Sequence, residues 1–463
     1  MGVSDPGPYP GAARRSLLYV FLLCLAPRLF ALLWLPAPEL THYWGLASGL
    51  LVEHAFRIDG ISTTYIEPLY PAFLAAARFV TGERLTLVLV LQSAVASLGG
   101  VLLYRLSLDL SGRQSVAWIA AILYACNPYL VRQSASLMEI SLATTLLIAA
   151  SYAFNRNLHC HHGRTAAAAG VLLGLAVLTR FSFAPIPVAA FVLLLWRRQV
   201  PQAAALACAA GLCVGPWLLR CYAVDGSMAP TRIGENLFVS TCEYADQVVP
   251  HINVDLLSPH AYASASRDLE ALELNPVDFQ RAADAWLLRR ALDCIVANPR
   301  RAAVMKLANA LHTFSPRLLP YEHKSDDAVA WVEAGQVRVR GLVPRPRAST
   351  AVHIAAQALL LVCAFAGLAL RRVATPGDSF LLCVAGAIIG VNTIFFPTTR
   401  LLAPMWFVLM FYAACALAPA MDRLAVRLRS RGRTRGQPPF PGAGRGKGDS
   451  SLTGSSAAGP LRP

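Results

Sequence analysis

Three carboxylates and four arginines fall at the edges of long apolar runs, where charge near lipid costs free energy and usually serves a function. Glu39 lies in Pro38-Glu39-Leu40-Thr41-His42-Tyr43, Glu67 lies in Glu67-Pro68-Leu69-Tyr70-Pro71, and Glu139 follows the short stretch 127–138. Arg132, Arg180, Arg220 and Arg400 sit at or near the ends of other apolar runs. These residue types suit one division of labour. A carboxylate takes a proton from a hydroxyl or amine, and cations stabilise a departing phosphate. Guanidinium groups fit that second task because they bind phosphate oxygens through two parallel hydrogen bonds. Each residue also has a structural reading. The arginines can snorkel to the interface or pair with Glu139, and all three acids can cap a helix start. Arg28 falls inside the first apolar run and needs a buried acid or carbonyl to satisfy it.

The elements that must position these side chains are membrane helices. The chain has 463 residues, 56% hydrophobic and only 14% charged, against about 25% charged in soluble domains. Many apolar runs approach the ~20 residues needed to cross a bilayer, where the backbone has to satisfy its own hydrogen bonds. Ten spans are expected, at 16–36, 85–107, 115–131, 137–154, 165–179, 182–196, 203–221, 351–370, 379–396 and 401–419. The fold class is therefore an all-α polytopic bundle. Residues 1–221 form an N-terminal module whose first outer loop is 37–84. Residues 222–350 form one large outer loop, 351–420 the last helices, and 421–463 a disordered basic tail.

Orientation follows from loop charge. With the N-terminus inside, the inner connections carry Arg105, Arg113, Arg156, Arg164, Arg197, Arg198, Arg371 and Arg372, and the tail returns to the same side. The net charge of +15 owes much to the nine Arg and Lys from Arg423 to Arg462, so it is no nucleic-acid signature. In the first outer loop, Leu46, Leu50 and Leu51 fall at helical spacing within the stretch 43–56, and 69–80 is a second surface helix. Residues 302–318 are apolar but interrupted by Lys306 and His312, which makes them an interfacial helix and not a span. Cys242 and Cys294 share the large loop and either pair as a disulfide or stay free. His159-Cys160-His161-His162 is read as a solvated loop and not a metal site. The apolar stretch after Arg14 and Arg15 is read as a retained span, since no small-residue cleavage site follows it.

The order of several short motifs resembles the GT-C class of integral membrane glycosyltransferases, family 39/83-like. This group includes protein O-mannosyltransferases, lipid A aminoarabinose transferases and Rgt-type lipopolysaccharide sugar transferases. The motifs are Glu39 to Tyr43 with Leu46-Ala47, Glu67 to Pro71 with Phe73-Leu74-Ala75, Gly174 to Arg180, Pro216-Trp217-Leu218-Leu219-Arg220, and Arg400 with Pro404. The resemblance extends to 231–240, with Gly234 and Asn236-Leu237, where the chain enters the large loop. The family's essential first-loop acid is commonly Asp, four residues before a Tyr, and Glu39 stands there. Glu139 matches a second acid, and Arg220-Cys221-Tyr222 replaces the usual Arg-Asn-Tyr.

The resemblance implies a hexosyl or pentosyl transferase that takes a polyprenyl-phosphate-linked sugar and passes it to a lipid, glycan or protein on the extracytoplasmic side. Glu39 is then the general base. Arg180, Arg220, Arg400 and Arg132 hold the phosphate, and Glu67 and Glu139 shape the sugar pocket or hold the arginines. Tyr43 and Tyr70 stack on a sugar ring or anchor the interface. No compact Asp-x-Asp pair occurs, so no obligatory metal is expected, though carboxylates this close could recruit a divalent cation. The expected location is a multi-pass bacterial inner membrane protein, its site facing the periplasm. The rival is a transporter or lipid flippase, against which stands the lack of an inverted repeat.

Overall fold

A computed structural model describes residues 10–38, 40–58, 60–228, 233–249, 263–271, 273, 276–318, 324–342, 346–371 and 375–435. The N-terminal helix α1 (Pro10–Trp34) leads into the first loop. That loop holds α2 (His42–Ser48), a hairpin of β1 (Arg57–Ile58) and β2 (Ile61–Ser62), and α3 (Leu69–Thr81). The bundle continues through α4 (Leu85–Ser111), α5 (Gln114–Cys126), α6 (Pro128–Ser134), α7 (Ile140–Cys160), α8 (Gly163–Thr179), α9 (Pro185–Trp196) and α10 (Val200–Asp225). The large loop contains α11 (Ile233–Val239), α12 (Ala245–Val248), α13 (Ala263–Glu270), α14 (Pro276–Ala297) and α15 (Pro299–Thr313). A hairpin of β3 (Lys324–Glu333) and β4 (Gln336–Leu342) follows. The chain then returns through α16 (Arg347–Arg371), α17 (Pro376–Ile394), α18 (Thr399–Leu402) and α19 (Trp406–Arg435).

Every expected span coincides with helix. Among the described residues six helices are long and apolar enough to cross a membrane. A seventh span arises if α5 and α6, bent by 59° at Asn127, count as one. The bend has a local cause: Asn127 leaves helical geometry and caps α6 through Leu130 N, with Pro128 supplying the first helical position. α8 and the segment Phe181–Trp196 are shorter apolar helices. α7 is interior, since its Thr144, Ser151, Asn155 and Asn157 are all buried. α8 packs closely on α10 because Gly170 and Gly174 present no side chain there. A Cβ at Gly170 would collide with the Leu206 carbonyl, and one at Gly174 would lie 2.8 Å from Cys213 Cβ. Small residues four apart are how membrane helices approach without a hydrophobic drive.

Three apolar clusters share the chain: the bundle core, one under the first loop around Tyr43, Tyr70 and Trp217, and one in the large loop around Phe238, Cys242 and Leu287. The stretch 302–318 is helical over α15, as expected for the interfacial segment. Two features depart from the sequence expectation. The loop holds a hairpin, turned at Ala334 and Gly335, both in the left-handed region that tight hairpin turns require. The last helix runs on to Arg435, into the stretch expected to be unstructured. Its residues 420–429 hold helix formers and no glycine. Contact clustering separates 1–419 from 420–463.

Candidate active site

Glu139 is the hub. It stands at the first position before α7, where its side chain makes no capping hydrogen bond, and it is 1% exposed. Arg180, just past α8, donates to its Oε1 at 3.0 Å. Arg400, on α18, donates from Nε at 3.1 Å and from Nη2 at 3.0 and 3.2 Å to the two carboxylate oxygens. A carboxylate so buried is tolerable only because it is paired twice. Arg400 Nη2 also reaches the Tyr43 hydroxyl at 3.0 Å. Burial, and then the charge of Glu139, raise the Tyr43 phenol, so it stays protonated and keeps an O–H to donate.

Local structure holds each partner. The Thr398 hydroxyl accepts from Leu401 N and caps the single turn bearing Arg400, while Thr399 Oγ1 ties that turn to the Leu318 carbonyl at 2.8 Å. Tyr43 and Tyr70 meet edge to face at 5.0 Å. Tyr70 donates to Gln92 Oε1 at 2.8 Å. Gln92 Nε2 in turn donates to the carbonyls of Ser134 and Ser136, at 3.1 and 2.8 Å, in the connection that ends at Glu139. Gln92 was missed from the sequence because one amide in an apolar helix carries no motif. Glu67 lies elsewhere in the scheme. Its Oε1 accepts from Phe181 N at 3.0 Å, so it anchors the backbone one residue beyond Arg180.

Arg220 does not join the Glu139 cluster in the contacts just given. Its guanidinium donates to the carbonyls of Thr63 and Phe56, at 3.0 and 3.1 Å, and lies over the rings of Trp217 and Phe56. It therefore fastens the first outer loop to the end of α10. A second clamp on the same loop comes from Glu235, which accepts from the Tyr65 hydroxyl while its own N–H donates to Asp284 Oδ1 at 3.0 Å. Gly234 allows this, since a Cβ there would strike the Asp284 carbonyl. Arg132 is half-buried on α6, at the head of the connection to Glu139. Glu39 lies outside the described residues. Its near neighbour Thr41 donates to the Leu137 carbonyl at 3.3 Å, which brings that stretch beside the connection carrying Glu139.

In the large loop Cys242 and Cys294 form a disulfide, with Cα atoms 5.6 Å apart. Among the described residues no group of three or more His, Cys, Asp or Glu is placed to hold a metal. Arg28 is fully buried and donates to the Cys24 carbonyl at 2.6 Å, the carbonyl option of the sequence reading.

The fold is that of a polytopic α-helical membrane protein, a bundle that is GT-C-like in architecture. Residues 67–218, about a third of the chain, match the family described as dolichyl-phosphate-mannose-protein mannosyltransferase. No curated protein sequence matches the chain. Among solved structures it is similar to the archaeal oligosaccharyltransferase AglB from Archaeoglobus fulgidus, in complex with an inhibitory peptide and a dolichol-phosphate. The TM-score is 0.51 at 15% identity, over 92% of this chain and 52% of that one. The chain thus spans about half the length of AglB. Weaker likenesses are ArnT from Cupriavidus metallidurans, at TM-score 0.39 and 11% identity over 88% and 78% of the two chains, and the arabinosyltransferase EmbB from Mycobacterium smegmatis, at 0.38 and 15% over 90% and 42%.

Proposed function

We propose that the protein is a membrane glycosyltransferase that moves one sugar from a polyprenyl-phosphate donor to a lipid, glycan or protein acceptor. The observation that carries this is the Glu139 carboxylate, which orients Arg180 and Arg400 side by side beneath the Tyr43 hydroxyl. Among the described residues only Nη1 of Arg180 is engaged, which leaves the rest of that guanidinium to take a phosphate oxygen. The matched mannosyltransferase segment and the dolichol-phosphate bound to AglB support a lipid-phosphate donor.

In this reading Glu39 removes the proton from the acceptor hydroxyl or amine. The acceptor atom bonds to the anomeric carbon as the bond from that carbon to the phosphate oxygen breaks, most simply with inversion. The leaving polyprenyl phosphate takes the electron pair, and Arg180 and Arg400 stabilise its charge. Arg132 is a weaker partner of that phosphate. Arg220, tied to the first loop, holds the wall that carries Tyr43 and Tyr70, and Glu67 fixes the backbone beside Arg180. A phosphate leaving group needs no obligatory metal here, although a divalent cation could bind.

The disulfide supports placing the large loop on an oxidising side, and the arginine-rich connections at the other end support a cytoplasmic face there. In a bacterium the site would face the periplasm. A transporter would set its charges for access from both sides, whereas this cluster serves one end. The test is transfer from a polyprenyl-phosphate sugar by the purified protein. Glu39→Gln should lower the rate about 10²–10⁴-fold with the fold retained, and wild-type turnover in that variant would remove Glu39 as the base.

A further inference from the structure

The end of the bundle away from Glu139 holds a cavity of its own. It has a volume of about 400 Å³, is open to the outside, and is lined by Leu193 and Trp196 of α9, Arg197, and Ser379 in the first turn of α17. Arg180 precedes α9 and Arg400 follows α17, so this cavity sits at the opposite ends of the two helices. Three donors reach it without a partner. The Arg197 guanidinium, the Ser379 hydroxyl and the Trp196 indole N–H make no hydrogen bond or ion pair among the described residues. Arg198 beside them likewise has no side-chain partner among the described residues. The nearest acid in sequence, Asp378, is fully buried and already held by Arg371 and Thr375, so it adds no free negative charge.

We propose that this cavity is a headgroup site for an anionic phospholipid. Its phosphodiester would be taken by the Arg197 guanidinium and the Ser379 hydroxyl, which together offer a charged and a neutral donor to neighbouring oxygens. The volume is in the range that holds small ligands. Lipid is favoured over free phosphate by what lies next to the donors. Val188, Val192 and Leu195 form an exposed apolar strip at helical spacing along α9, and the strip ends at Trp196, 82% exposed beside the cavity. An acyl chain can follow that strip, and a Trp at the end of a span belongs at the level of headgroups. Basic pockets between helices on the cytoplasmic side are suited to anionic lipids.

The test uses the full-length protein in detergent, offered phosphatidylglycerol or phosphatidylcholine of the same acyl chains, with retained lipid counted by native mass spectrometry. Wild type should retain phosphatidylglycerol over phosphatidylcholine by about fivefold. Arg197→Ala combined with Ser379→Ala should erase the preference, and Arg197→Glu should invert it. Arg105→Ala, an exposed arginine outside the cavity, should leave it intact. Because Arg197 is exposed and unpaired, its truncation should leave the melting temperature unchanged, which separates lost binding from lost fold. Equal retention of the two lipids by wild type would overturn the proposal. So would an unchanged preference in the double variant, an equal loss in Arg105→Ala, or displacement of the lipid by millimolar inorganic phosphate.

Discussion

Two buried acids in this bundle are each paired with arginine, and they are built differently. Asp378 is satisfied from close by in sequence. Arg371 donates to both its oxygens, Thr375 donates from N to Oδ2 while its Oγ1 accepts from Asp378 N to close a capping box, and Tyr412 stands at 3.5 Å. Arg371 spends its remaining reach on the Leu110 carbonyl. Glu139, by contrast, is met by arginines 41 and 261 residues away in sequence. Those arginines are not consumed by it. Among the described residues Arg180 keeps donors without a partner, and Arg400 extends to a tyrosine hydroxyl. A closed pair holds helices together, whereas an open one holds cations in place for something else.

The comparison breaks most visibly at Asp378. Asp378→Ala leaves the half-buried Arg371 without its acid, held by the Leu110 carbonyl, so it should cost about 3 kcal/mol, read as a lower unfolding midpoint in detergent. Whatever fraction remains folded should still transfer sugar at the wild-type rate. An unmoved midpoint would mean the closed pair is not structural. The next effect is at Arg180. Arg180→Lys keeps a charge for Glu139 but removes the free part of the guanidinium, so transfer should fall about 10²-fold while the unfolding midpoint stays close to wild type. If instead the midpoint collapses and turnover per folded molecule is preserved, the outer cluster is a second staple and the contrast disappears.

Much of this was legible in the sequence. Each of the ten apolar runs fell on helix, though only six or seven helices among the described residues are long and apolar enough to span, and the charge asymmetry of Arg105, Arg113, Arg156, Arg164, Arg197 and Arg198 marked one end. Arginines at the other end flagged Arg180 and Arg400. Their meeting at Glu139 was open only as an alternative, because sequence spacing says nothing about side chains 261 residues apart. Arg220 and Glu67 were harder still, since each binds backbone groups, and carbonyls and amides leave no trace in residue identity. The β3–β4 hairpin did have a signal in the alternation Gln336-Val337-Arg338-Val339-Arg340 after Gly335, but it was hidden inside a loop read for its polarity.

The smallest expected effect concerns a charge with no acid paired to it among the described residues. Lys306, on α15 in the large loop, donates to the Ser240 carbonyl at 3.0 Å, the Ser240 hydroxyl at 2.8 Å and the Thr241 hydroxyl at 3.1 Å. No ion pair is made to it among the described residues, and burial lowers its amine from 10.5 to about 8. Between about 8 and 10.5 the unfolded chain therefore binds more protons than the folded one, and stability should rise with pH across that window. The rise should be modest because the side chain is partly open to solvent. Other groups titrate in the same range, so the useful readout is the difference between wild type and Lys306→Gln, which has no charge to lose. That difference should move in favour of wild type as pH climbs from 8 to 10. A difference that stays flat would mean Lys306 is as well solvated as a surface lysine, and that hydrogen bonds to neutral oxygens serve it as well as an acid serves Arg180.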